Sequence, residues 1–228
     1  MPADSTAPTK LTAIAIEALD PAAQTRVWAD ALNWRPSETA VHSARPDGLS
    51  LHFVPTTRPK TTKNRLHLDL AGGGGADDDQ RRQVARLLDL GAVPADIGQG
   101  DVPWDVLADP EGNEFCVLPE PAADGHLVAI CQDAADVRLQ GPFWTAAAGW
   151  SIADQGDWGI SLRALAANGT PVGPRLVMGP PAAPKTATNR WRFVLADSAP
   201  TSAAAALDLT AARQLQDPEG NEYHHVTR

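Results

Sequence analysis

The residues with chemical reach in this 228-residue chain sit on short stretches of strand-like alternation. In Arg65-Leu66-His67-Leu68-Asp69-Leu70 the leucines share one face, so His67 and Asp69 share the other. His52 lies between Leu51 and Phe53, and Cys116 between Phe115 and Val117, with the same opposition. Imidazole and thiolate suit zinc and other late transition metals. A carboxylate beside an imidazole orients the ring or takes a proton, which gives Asp69 a catalytic reading. Glu17, on an early alternating stretch, is a second carboxylate able to act as a base. Trp104 and Trp158 lie on or near strands, where an indole either stacks on a planar ligand or packs a core.

The elements that must position these residues repeat. Asp109-Pro110-Glu111-Gly112-Asn113-Glu114 recurs as Asp217-Pro218-Glu219-Gly220-Asn221-Glu222. Each copy reads as a tight turn inside a β-hairpin, because Pro and Gly supply the backbone angles and the Asp and Asn side chains close it. Trp28 and Trp34 are matched by Trp144 and Trp150, and Pro59-Lys60-Thr61 with Asn64-Arg65 by Pro184-Lys185-Thr186 with Asn189-Arg190. The landmarks keep their order, so residues 1–122 and 126–228 are two homologous units, joined by a Pro- and Gly-containing linker over 119–125. The four paired Trp read as packing residues on the helix side of the sheets.

Within the first unit, Leu11 to Leu19 alternates as a strand, and Asp20-Pro21 opens a helix that runs to about Asn33. Strands follow over 39–44 and 49–54 around the turn Arg45-Pro46-Asp47-Gly48, and the pattern restarts with a strand over 65–71. Gly72 to Gly75 reads as a loop, Asp77 to Leu90 as a helix closed by Gly91, and three further strands as far as Leu118. The second unit follows the same order but is shorter between its Asn-Arg and Asp-Pro landmarks, where the alanine-rich stretch 199–206 stands for a missing helix and strand.

A net charge of −9 argues against a nucleic-acid partner, whose phosphates want a basic surface. Two cysteines make no disulfide framework and point to a reduced cytoplasmic setting. No stretch approaches the roughly 20 apolar residues of a membrane span.

With its paired β-α-β-β-β modules, its Asp-Pro-x-Gly-Asn hairpins and its Pro-Lys-Thr-x-x-Asn-Arg-x-His-x-Asp stretch, the chain resembles a tandem glyoxalase-like protein of the vicinal oxygen chelate superfamily. The resemblance implies an α+β fold of curved mixed sheets, with the second unit partly eroded. It also implies four ligand positions on one concave face, which in the first unit fall on Ala13, His52, His67 and Cys116. His52, His67 and Cys116 would then hold one divalent metal (Zn, Ni, Mn or Fe), with Asp69 or Glu17 as base. Ala13 and Cys116 depart from the usual His and Glu, so the leading expectation is a protein without a cofactor. It would bind a small, aromatic or hydrophobic molecule at a site including His52, His67, Trp104, Cys116 and Trp158. A metal-dependent lyase, isomerase or dioxygenase is the alternative. In the second unit the same positions fall near Val128 and on Val177, Arg192 and His224, a set that repels a cation and suits a carboxylate or phosphate. Tandem units also imply a pseudo-dimer within one chain, or else a homodimer.

Overall fold

The computed structural model describes residues 9–44, 48–74, 77–121, 126–197 and 209–227. The expected turn at 45–47, part of the linker, the end of the glycine run and the alanine-rich stretch lie outside the described residues. In chain order the elements are β1 (Lys10–Ala18), α1 (Pro21–Leu32), β2 (Arg35–Pro36), β3 (Ala40–His42), β4 (Ser50–Pro55), β5 (Leu66–Gly73), α2 (Asp77–Asp89), β6 (Val93–Pro94), β7 (Asp105–Ala108) and β8 (Glu114–Pro121). The second unit supplies β9 (Leu127–Asp133), α3 (Val137–Ala148), β10 (Ser151–Gly156), β11 (Gly159–Leu165), β12 (Pro171–Gly179), β13 (Trp191–Ala196), β14 (Arg213–Gln216) and β15 (Glu222–Val226). The structure differs in that β5 continues through Gly72 and Gly73, read as loop from the sequence. None of the described helices is long and apolar enough to cross a membrane.

The helix ends follow from local chemistry. The Asp20 side chain accepts from the Ala23 N–H at 2.9 Å, and α1 stops where Asn33 turns left-handed at φ 54°. Helix α3 repeats the device, capped by the Asp136 side chain and ended by Gly149 at φ 66°. In both cases a Trp follows at once, Trp34 and Trp150.

The strands form two mixed sheets. One has seven strands in the order β14-β15-β13-β1-β4-β3-β2, the other eight in the order β10-β11-β12-β9-β5-β8-β7-β6. Here the structure corrects the expectation that one unit closes one cup. The seven-stranded sheet joins the first module of unit one to the last module of unit two, through the antiparallel pair β1–β13. The eight-stranded sheet joins the inner two modules through β5–β9. The seven-stranded sheet therefore takes four strands from the first unit and three from the second, and the eight-stranded sheet takes four from each.

One apolar core serves both sheets. Ile14, Ile16, Leu51 and Phe53 of the first sheet and Leu66, Leu68, Leu70 and Ile130 of the second meet around Trp28, Trp144 and Trp191. Trp28, Trp144 and Trp150 are buried as expected of packing residues, and Trp34 lies against the same core. Three of the buried indoles find an acceptor: Trp28 Nε1 donates to Asp109 at 3.1 Å, Trp144 to Gln140 at 3.0 Å and Trp191 to Asn113 at 3.1 Å.

The repeated hairpins lock this arrangement. Asp109 Oδ1 accepts from the backbone of Glu111 and Asn113, and Asp217 Oδ1 from that of Glu219 and Asn221. Glu111 then accepts from the N–H groups of Leu19 and Asp20, both at 2.9 Å, and pairs with Arg190. Glu219 does the same for Ala135, Asp136 and Arg65. Each hairpin is thus a clasp between one module and the helix start of another, which is why both copies keep the same acidic residue.

Candidate functional site

The faces turned away from the shared core carry the chemistry, and the two sheets differ there. On the eight-stranded sheet, β5 offers His67 and Asp69 while Leu66, Leu68 and Leu70 enter the core. Parallel pairing sets Cys116 of β8 beside Asp69, and antiparallel pairing sets Cys131 of β9 beside His67. Cys131 donates to Asp69 Oδ2 at 3.0 Å, and His67 Nε2 lies 3.4 Å from Asp69 Oδ1. The donor atoms of His67, Asp69 and Cys116 all lie within 4.8 Å of one another. Burial and the Asp69 carboxylate push both thiols upward, so both are neutral at ordinary pH. The two thiols cannot join. Strand β5 separates β8 from β9, so their Cα atoms are about two strand spacings, roughly 9–10 Å, apart, beyond the reach of a disulfide.

This group fits a metal ion. Ligands sharing a tetrahedral zinc at about 2.0–2.3 Å lie roughly 3–4 Å from one another, so His67, Asp69 and Cys116 need only small adjustments. Asp69 Oδ1 is buried and accepts no hydrogen bond, so a lone pair is left for a cation or a ligand donor.

The seven-stranded sheet presents different chemistry. Its outer face is filled centrally by Ala13, Ala15 and Val194, with Val54, Leu209 and Val226 against them. Glu17 accepts from Arg58 at 2.7 and 2.8 Å and from buried Arg192. His52 bonds to Ser50 Oγ at 3.0 Å, and its ring meets His42 edge-on at 5.9 Å. Burial, and then the neighbouring His42, lower the His52 pKa to about 4, so it stays neutral. His224 is lowered by burial and then by Arg192.

The expected set is therefore split. His67, Cys116 and Asp69 come together, but His52 lies on the other sheet beside Ala15 and does not join them. Glu17 is separated from Asp69 in the same way, and its carboxylate is already engaged by two guanidinium groups, which removes it as a free base. Arg192 and His224 sit on neighbouring strands of the seven-stranded sheet with Glu17 and His52 rather than in a cup of their own unit. Trp104 is half-buried in the bend just before β7 rather than on a strand, at one wing of the eight-stranded sheet. Trp158 is 48% exposed in the β10–β11 turn on the opposite wing. Val177 pairs with Cys131, so it belongs to the His67 sheet. Cys131 is the residue that sequence reasoning passed over. The alternation of Ala129 and Cys131 against Ile130 was the signal available for it.

A family model described as a glyoxalase-like domain matches residues 13–118 and again 129–226. Glyoxalase I from Zea mays superposes with a TM-score of 0.56 at 13% identity, covering 96% of this chain and 92% of that one. A putative dioxygenase from Bacillus subtilis superposes with a TM-score of 0.56 at 11% identity, covering 96% and 86%. At such identities the likeness speaks for the fold alone. No curated protein sequence matches the chain.

Proposed function

The chain belongs to the glyoxalase-like domain family, and from that premise we propose that it takes a small-molecule substrate at the outer face of the eight-stranded sheet, through one soft divalent cation. His67, Asp69 and Cys116 would hold the ion, and zinc suits this mixture of imidazole, carboxylate and thiolate. When bound, such an ion supplies Lewis acidity toward adjacent oxygen atoms of a substrate. The observation that carries the reading is the convergence of three donor atoms within 4.8 Å around a buried carboxylate oxygen that lacks a partner.

The chain's own residues prepare this site. Cys131 donates to Asp69 Oδ2 and so directs the other oxygen toward His67 and Cys116. His67 is the more open of the three and marks the approach. Loading must displace the Cys116 proton, whose loss burial and Asp69 oppose, so uptake strengthens as pH rises. The seven-stranded sheet has no comparable donor set among the described residues, and Arg192 there opposes a cation.

The test is metal content of untagged protein purified without chelator. The expected result is about one equivalent, as for a single site of this donor set, lost in His67→Ala and Cys116→Ala but kept in His52→Ala. No metal, with none taken up on addition of zinc, would overturn the cation and leave a ligand held by hydrogen bonds to Asp69 and His67. Loss in His52→Ala would reject the assignment to one sheet.

A further inference from the structure

A cleft of about 170 Å³ opens where the first and third modules meet. Its walls repeat each other. Trp34 follows the left-handed end of α1 and Trp150 the left-handed end of α3. Leu11 at the start of β1 is matched by Leu127 at the start of β9, and Gly48 and Leu49 before β4 face Leu165 at the end of β11 and Val172 at the start of β12. Leu11, Trp34, Trp150 and Ile130 belong to or pack on the shared core, so the cleft lies on the opposite side of β9 from Cys131.

The lining is apolar and aromatic, and its single charged residue is Lys10. The Lys10 ammonium is exposed and has no ion-pair partner among the described residues. A closed apolar cavity of about 150 Å³ holds a benzene ring, so a cleft of this size encloses one ring and leaves a second, fused ring in its open mouth. Two indoles line the cleft, and the exposed Lys10 ammonium selects a negative substituent.

We propose that the cleft between Trp34 and Trp150 is a second binding site, for a small aromatic anion of the arene-carboxylate class. It is independent of the cation site, since the two lie on opposite faces of the same sheet. The aromatic-walled site thus falls to the paired Trp that the sequence marks as packing residues, whereas Trp104 and Trp158 stand on separate wings.

Naphthoate is the probe, with neutral naphthalene methanol as its control, in calorimetric titrations of the full chain. Naphthoate binds with a dissociation constant on the order of 10–100 µM, as its atom count permits. Trp34→Ala weakens both compounds about tenfold. Ala164→Leu, which fills the cleft from the β11 wall and removes no contact, weakens both to a similar degree. Lys10→Gln weakens naphthoate about threefold and leaves the alcohol unchanged. Treatment with a chelator changes neither affinity, so failure here and failure of the cation reading are separable. No binding of naphthoate, or binding unmoved by both Trp34→Ala and Ala164→Leu, overturns the proposal. So does binding that disappears with the chelator, which would place the probe at His67.

Discussion

The outer faces of the two sheets are built from homologous modules and carry different chemistry. On the eight-stranded sheet the central row is His67, Asp69, Cys116 and Cys131, four groups able to donate electron pairs. On the seven-stranded sheet the equivalent ground holds Ala13, Ala15 and Val194, flanked by the Glu17–Arg192 pair. The difference teaches that homologous faces diverge by filling and by charge. Small apolar side chains fill the centre of the one face, and a guanidinium held by a carboxylate lies beside them.

The largest effect expected on this comparison comes from Glu17→Ala. It leaves Arg192 buried without its carboxylate, and breaking such a pair costs about 3–5 kcal/mol. Asp69→Asn keeps polar partners for the thiols and costs about 1 kcal/mol. Chemical denaturation of both variants checks the contrast, and equal losses would break it.

Next is pH. Folding holds His52 neutral with a pKa of about 4 against 6.5 in the unfolded chain. The unfolded chain therefore binds more protons between those values, and stability rises with pH across that window. The contribution, about 3 kcal/mol, is fully present above pH 6.5 and lost as pH falls toward 4. Urea midpoints measured across that range are expected to flatten in His52→Gln. An unchanged slope would show that the seven-stranded sheet does not set acid sensitivity.

Smaller still is the effect of Cys131→Ala. Removing a group that orients a ligand lowers metal affinity about 10–100-fold, read by competition with a chromophoric chelator. A loss as large as that of Cys116→Ala would make Cys131 a ligand in its own right. Last, Glu111→Gln and Glu219→Gln are each expected to cost about 1 kcal/mol, because each keeps its shape while weakening charge-assisted bonds to two N–H groups and an arginine. Unequal costs would show that the two clasps are no longer equivalent.

Much of the fold was legible in the sequence for local reasons. Helix α1 begins where Asp20-Pro21 predicts, strand alternation assigns His67, Asp69 and Cys116 to one face, and the hairpins announce themselves by repetition. Strand β14 was not read, because Arg213–Gln216 is short, mostly exposed and without apolar alternation. Of the residues that the family pattern and alternation single out, His67, Asp69 and Cys116 have donor atoms within 4.8 Å of one another, whereas His52 and Glu17 lie on the other sheet.

What the sequence by itself determined is therefore the modules: where the main strands and helices fall, which side chains share a face, and that the chain is a repeat. Periodicity, capping and turn chemistry act over a few residues and are written in those residues. Only the tertiary structure decided which module completes which sheet. The pairing of β1 with β13 joins residues far apart in the chain, and any of the homologous edges offers similar backbone groups. That choice rests on the burial of one core common to both sheets and on the two glutamate clasps. It is what parts His52 from His67 and brings Cys131 to Asp69.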